Sequence, residues 1–174
     1  MKRCVVTGGA GFIGSHLVDR LVADGYTVTV IDNLAVGRRA NLDAALSTGQ
    51  VNFHELSVAD LESISPLFED GPLVFHLAGM ADIVPSIEHP LRYHRANVDG
   101  TAAVMEAARA GGSPKIIYAA SSSCYGIPDQ YPTPESAVIQ PRYPYALTKN
   151  LGEQIVLHWG DVYGIDVLAL RLFN

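Results

Sequence analysis

Tyr145 and Lys149 stand four residues apart in Tyr145-Ala146-Leu147-Thr148-Lys149. On a helix that spacing puts a phenol and an ammonium on one face, one turn apart. An ammonium so placed favours the phenolate, which can then act as a general base near neutral pH. The pair by itself is weak, because Tyr-x-x-x-Lys also occurs on solvated helical faces. A second element lies upstream, where Ser121-Ser122-Ser123-Cys124-Tyr125-Gly126 follows the apolar run Lys115-Ile116-Ile117-Tyr118. If that run is a strand of an open α/β sheet, the serines stand at its carboxyl edge, where such sheets bind ligands. A hydroxyl there can hydrogen-bond a substrate hydroxyl and pass its proton to the tyrosine. Taken alone, the serines also fit an ordinary turn.

A third element offers a place for a redox cofactor. Thr7-Gly8-Gly9-Ala10-Gly11-Phe12-Ile13-Gly14 lies between an apolar run (Cys4, Val5, Val6) and a helical pattern (Leu17, Val18, Leu21, Val22). Gly8, Gly11 and Gly14 are spaced G-x-x-G-x-x-G, a dinucleotide fingerprint at a strand-to-helix turn. Gly8 turns the chain off the strand, Gly11 leaves room for a pyrophosphate, and Gly14 lets the helix pack closely on the sheet. The helix N-terminus then presents N–H groups to the phosphates. The next apolar run, Thr27 to Ile31, ends in Asp32, about 20 residues beyond the fingerprint, where an acid binds an adenosine ribose. That carboxylate would repel a 2′-phosphate, which favours NAD over NADP, although Arg38 and Arg39 blunt the argument.

Positioning these groups requires alternating strands and helices, and the hydrophobic pattern supplies them. Strands are expected near 3–7, 27–31, 51–55, 73–77, 115–120 and 166–172. Helices are expected near 11–24, 38–47, 60–69, 86–111 (interrupted or bent near Pro90) and 143–163. Runs such as Leu73-Val74-Phe75-His76-Leu77 are almost continuously apolar, as parallel strands covered on both faces should be. The expected fold class is α/β, a Rossmann-type doubly wound parallel sheet, with residues 1–174 as one domain. From Gly126 to Pro144 the chain carries five prolines. A loop of that length in a compact domain is functional or disordered, and its place between the two catalytic segments favours an ordered active-site loop. The strand over Val167 to Leu172 ends with nothing following it, so a larger protein is expected.

The remaining composition narrows the classes. A chain of 174 residues with 48% hydrophobic content can bury one core. A net charge of −6 argues against a general nucleic-acid or anionic-membrane surface. The apolar runs are too short to span a membrane, and the glycine turn interrupts any signal-peptide core. Cys4 and Cys124 make no disulfide framework, so a reduced, cytoplasmic domain is expected. The six histidines (His16, His54, His76, His89, His94 and His158) lack metal-ligand spacing, and no metal is expected. His76 reads as a packed core residue rather than a catalyst.

Together these motifs resemble the extended short-chain dehydrogenase/reductases, in the group of nucleotide-sugar epimerases and dehydratases. The resemblance runs from Lys2 to Asn174 and rests on the glycine turn, Asp32-Asn33-Leu34 … Gly37-Arg38 … Asn41-Leu42, and His76-Leu77-Ala78-Gly79. It continues through Asn97-Val98-Asp99-Gly100-Thr101, the triple serine, Tyr145 to Lys149, and Arg171-Leu172-Phe173-Asn174.

The resemblance implies that Phe12 and Ile13 cradle a pyrophosphate through their backbone, with Asn33 flanking Asp32 at the ribose. Ser57 and Val58 fall in the adenine loop, where a Gly-Asp pair is usual. Leu77, Ala78 and Gly79 line the cofactor, Gly79 in place of a common alanine, and Asn97 supports the active-site hydrogen bonds. Tyr145 is the base, and Lys149 holds the nicotinamide ribose. Ser121 aligns with the catalytic Ser/Thr, counting back from Tyr125-Gly126. Substrate contacts are expected from Ser86, Ser121, Ser122, Ser123, Tyr145 and Asn174, the last meeting the nucleotide-sugar diphosphate. A C-terminal substrate domain is expected in relatives and is absent from this chain. A homodimer through the stretches around 91–111 and 145–163 is implied as well.

Three reactions share this scaffold, and all begin with hydride removal from the sugar's C4. Dehydratases and C4-oxidising decarboxylases need an added acid, which relatives carry where Ser122 and Ser123 stand here. Serine is a poor acid or base at neutral pH, so NAD-dependent 4-epimerisation of a UDP-sugar is favoured. A second class stays open, a non-catalytic dinucleotide-binding sensor or scaffold, which would need only the fingerprint.

Overall fold

The computed structural model describes residues 2–173. Six strands alternate with helices along it: β1 (Lys2–Thr7), α1 (Phe12–Ala23), β2 (Tyr26–Ile31), α2 (Asp43–Ser47), β3 (Val51–His54), α3 (Leu61–Ile64), β4 (Leu73–His76), α4 (Ile83–Glu88), α5 (Pro90–His94), α6 (Gly100–Gly111), β5 (Lys115–Ser121), α7 (Pro144–Tyr163) and β6 (Asp166–Leu172). All strand pairs are parallel, in the order β3-β2-β1-β4-β5-β6. The order reverses between β1 and β4, and that switch point opens a crevice at the carboxyl ends of the strands.

Strand periodicity builds a core on each face. Along β1, Cys4 and Val6 point into one cluster with Val18, Leu21, Val28 and Val30, while Val5 joins Phe68, Val74, Val104 and Ile116 in the other. With both faces covered, central strands tolerate almost no polar side chain, which is why they read as continuous apolar runs. At the edge, β6 behaves differently. Val167 and Ala169 pack inward, whereas Leu168, Leu170 and Leu172 are exposed.

The helices depart from expectation at their ends. The segment before α2 is a 3-10 turn (Arg39–Leu42). α3 tightens into a second one (Ser65–Phe68) that carries Pro66, whose ring lacks the N–H that a regular helix would use. The helix expected over 86–111 begins earlier, at Ile83, and breaks at His89 before Pro90 opens the next piece. Between α5 and α6 the backbone widens into a π turn, Arg95–Asp99. The proline-rich segment folds back against the end of β5, with the Gln140 N–H donating to the Cys124 carbonyl at 2.9 Å. No helix among the described residues is long and apolar enough to cross a membrane.

Candidate functional site

β1 delivers Gly8 into the switch-point crevice with φ +70°, and a Cβ there would lie 2.7 Å from the Ala78 backbone nitrogen. The exits of β1 and β4 therefore meet backbone to backbone. At Gly14 a Cβ would fall 2.2 Å from the Gly8 carbonyl oxygen, so α1 can seat on the turn only without a side chain. Gly11 is the N-cap of α1 and offers no side-chain acceptor, which leaves the first-turn N–H groups to an anion. Asp32 is buried at the end of β2. Its two carboxylate oxygens accept from the Ala10 N–H at 3.0 Å and the Leu34 N–H at 2.8 Å. Each oxygen keeps a further lone pair for a ligand hydroxyl. The cleft so formed measures about 410 Å³ and is lined by Gly8, Gly11, Asp32, Asn33, Ser57, Val58, Leu77, Ala78 and Gly79, with Arg92 and Arg95 at its side. The close glycine cradle and the uncapped helix fit a dinucleotide.

A second cleft, about 1170 Å³, shares Leu77, Gly79 and Met80 with the first, so the two are continuous. Ser121 ends β5 there, and Tyr145 reaches it from the first turn of α7. The Tyr145 hydroxyl donates to Ser121 Oγ at 3.3 Å, and Ser121 Oγ lies 2.8 Å from Ser123 Oγ. Lys149, one turn further along α7, is buried and donates from Nζ to the Ala119 carbonyl at 2.6 Å. Its Nζ also sits 4.3 Å from the centre of the Tyr118 ring. A phenol, a hydroxyl and an ammonium thus line the second cleft, which is continuous with the first, suited to moving a proton beside a bound dinucleotide.

Burial brings the Lys149 ammonium down to about 8, against the opposing pull of the Glu153 carboxylate. A lysine in the unfolded chain holds its proton to 10.5, so between those values the unfolded state binds more protons than the folded one. The stability contribution of Lys149 is accordingly flat below about 8 and rises as pH climbs toward 10.5. Denaturant unfolding of the cofactor-free chain and of Lys149→Met across that window should show this rise in their difference. A flat difference would mean that Lys149 is not held desolvated.

The model of the family described as "NAD dependent epimerase/dehydratase family" matches residues 4–174. The chain belongs to that family. A UDP-glucose 4-epimerase of Mycolicibacterium smegmatis is 39% identical over 166 residues, which is 94% of this chain and 53% of that protein. Two solved structures superpose closely. One, with 37% identity and a TM-score of 0.93, is the UDP-N-acetylglucosamine 4-epimerase from Methanobrevibacter ruminantium in complex with UDP-N-acetylmuramic acid, covering 99% of this chain and 55% of that one. The other, with 33% identity and a TM-score of 0.92, is the UDP-glucose 4-epimerase from Brucella ovis in complex with NAD, covering 100% and 52%. The chain spans about half the length of the curated relatives it matches.

Within the epimerase/dehydratase frame, the remaining candidate residues fall in different places. Ile13, Ser122 and Ser123 line the second cleft, and Phe12 is exposed on α1. Asn97 lies beneath the first cleft rather than in its wall. Its Oδ1 accepts from the Met80 N–H at 2.7 Å, and its Nδ2 donates to the Met80 carbonyl at 3.1 Å and to Thr148 Oγ1 at 3.0 Å. Ser86 is buried on α4 and donates to the Ile83 carbonyl at 2.6 Å, while Ile83, Val84 and Pro85 face the cleft instead. Asn174 lies outside the described residues. Among the described residues no group of His, Cys, Asp and Glu could hold a metal ion.

Other residues of the site escaped the sequence. Tyr143 stacks on Tyr145 and Tyr93 meets the Tyr145 ring edge-on, with the Tyr93 hydroxyl donating to the Ala81 carbonyl. Tyr131 and Thr133 bring the proline-rich loop into the cleft wall. Arg171 on β6 grips the buried Glu153 carboxylate of α7, with contacts of 2.6 to 3.0 Å. The same guanidinium donates to the Tyr125 hydroxyl at 2.7 Å and to the Glu135 carbonyl at 3.4 Å, which ties the loop to the sheet. No local spacing signals a pair that spans a helix and the strand after it.

Proposed function

We propose that this chain carries the cofactor-binding and catalytic part of an NAD-dependent UDP-sugar 4-epimerase. The observation that carries the reading is the Tyr145 hydroxyl, 3.3 Å from Ser121 Oγ, in the second cleft, which shares its wall with the first. Gly8, Gly11, Phe12, Ile13 and Gly14 would hold the pyrophosphate, and Asp32 and Asn33 the adenosine ribose. Ser57, Val58, Leu77, Ala78 and Gly79 would wall the cofactor, with Lys149 at the nicotinamide ribose. NAD+ held there would supply the acceptor for the C4 hydride and the donor for its return. The Tyr145 phenolate takes the 4-hydroxyl proton, directly or through Ser121, and gives it back after the 4-keto sugar has turned its other face. Lys149 sustains the phenolate by its charge. Ser122 and Ser123 contact the sugar and supply no carboxylic acid for elimination, which supports epimerisation over loss of water. Asp82, a carboxylate in the cleft wall, enters from the α4 side instead.

Residues 1–174 form one domain in this reading, with further sugar selectivity in the length that relatives have beyond the matched part. Val98, Leu151, Ile155 and Trp159 line a groove between the π turn and α7, which supports a homodimer formed through α6 and α7. The unpaired, buried Cys4 and Cys124 support a cytoplasmic setting.

The full-length protein, loaded with NAD, should convert UDP-glucose or UDP-N-acetylglucosamine to its 4-epimer without net NADH. Sedimentation of the same preparation should give twice the mass of one chain. Accumulation of a 4-keto-6-deoxy sugar would assign the protein to the dehydratases. NAD retention with no conversion of any UDP-sugar would favour a sensor or scaffold.

A further inference from the structure

His76 closes β4 in full burial, with Nδ1 2.6 Å from Thr7 Oγ1 and Nε2 3.0 Å from Thr101 Oγ1. The neighbours fix the direction of both bonds. Thr101 gives its hydroxyl proton to the Asn97 carbonyl at 2.6 Å. Toward His76 its oxygen must therefore accept, which puts the ring proton on Nε2. Burial, with a smaller push from the Lys149 charge, holds the imidazole neutral down to about 3. Nδ1 is then bare and accepts from Thr7, and Thr7 Oγ1 in turn accepts from the Ala78 N–H at 3.2 Å.

The far side of this chain of bonds reaches the active site. Asn97, whose carbonyl Thr101 holds, grips both backbone polar groups of Met80 and donates to Thr148. Thr148 donates to the carbonyl of Tyr145 at 3.0 Å. One continuous set of hydrogen bonds runs from the glycine turn and the Ala78 loop, through the histidine, to the backbone of the general base. Every donor proton in it has an acceptor, the two of Asn97 Nδ2 included, and the direction leaves a single tautomer.

We propose that His76 is a positioning residue whose Nε2–H tautomer locks the cofactor loop and the catalytic helix into one register. The side chain touches neither cleft and acts through Thr7 on one side and through Thr101 and Asn97 on the other. The kinetic part of this inference rests on the proposed epimerase activity, whereas the tautomer and its effect on NAD binding do not.

Two substitutions divide the ring's two bonds. His76→Gln sets an amide N–H where Nε2–H stands, keeps the bond to Thr101, and removes the acceptor for Thr7. His76→Asn sets an amide oxygen near the Nδ1 position, keeps the acceptor for Thr7, and leaves Thr101 without its donor. The glutamine variant is expected to lose mainly NAD affinity and the asparagine variant mainly kcat, each by about tenfold, as for one buried hydrogen bond. Parallel loss of both quantities in both variants would make His76 merely structural and overturn the proposal.

Nitrogen NMR of the imidazole in the unmodified protein decides independently, whether or not the variants fold. At neutral pH it should show Nε2 protonated and Nδ1 bare. A proton on Nδ1, alone or with Nε2, would also overturn the proposal. If the unmodified protein epimerises no sugar while the Nε2–H form is seen and His76→Gln weakens NAD, the reaction assignment falls and the register role stands.

Discussion

Replacing Tyr145 by phenylalanine is expected to lower turnover of a UDP-sugar by at least about a hundredfold, the usual worth of a positioned acid–base group. NAD affinity should hardly change. The substitution removes one oxygen, whose described partner is Ser121 Oγ at 3.3 Å. The ring stays between Tyr93, 6.5 Å away edge-on, and Tyr143, 6.4 Å away and stacked. Thr148 still bonds the backbone carbonyl of residue 145, so the start of α7 keeps its place. What disappears is the group proposed to take the sugar's 4-hydroxyl proton. Without it, the hydride would have to leave a carbon that still carries a protonated hydroxyl. Steady-state epimerisation and NAD titration of the same variant give the two readouts, and near-native turnover would end the assignment of Tyr145 as the base.

The largest effect on stability is expected from Arg171→Met. Glu153 is 5% exposed, and Arg171 is the guanidinium that neutralises it. Breaking such a pair from one side leaves a buried charge without compensation, at a cost of about 3 kcal/mol or more. The bonds to Tyr125 and to the Glu135 carbonyl go with it, so the proline-rich loop loses its tie to β6. Adding Glu153→Gln should recover most of the loss, because a neutral amide leaves no bare charge. Urea unfolding of the two single variants and the double variant measures the coupling. A single-variant loss below about 1 kcal/mol would place this pair with ordinary surface ion pairs. A bare Glu153 carboxylate would also hold the proton on Lys149 more firmly, so the Lys149 titration should move upward in Arg171→Met.

The sheet and the cofactor turn were legible because their causes are local. Buried parallel strands must be apolar throughout, and a turn that admits no Cβ must use glycine, so β1, β4 and the Gly8–Gly14 spacing were visible in the residues themselves. Ser121 was singled out by counting from a motif, and Tyr145 and Lys149 because one helical turn joins them; the fold brings Tyr145 to 3.3 Å from Ser121. The hydroxyl of Ser86 misled, since a serine on a short helix reads as polar and available, yet it satisfies itself on the carbonyl three residues back. The groups that hold the site in place were not legible. His76 meets Thr7 across 69 positions and Thr101 across 25, and Asn97 meets Thr148 across 51. Only the fold brings those side chains together, and each looks unremarkable where it stands.

The π turn over Arg95–Asp99 carries a consequence for how this scaffold tolerates insertions and deletions. A wide turn holds one residue more than the regular helix on either side of it. Removing a single residue there would let α5 and α6 join as one uninterrupted helix, comfortable in itself. The flanks would keep their phase, because the wide turn already absorbs the extra residue, so Tyr93 and Arg92 would stay on their faces. The change would fall inside the turn, where Asn97 would be drawn into regular helix and away from Met80. A deletion of one residue further along, within α6, has no such slack and would rotate what precedes it by about 100°. The number of residues in this turn thus sets where Asn97 stands, as much as their kinds do.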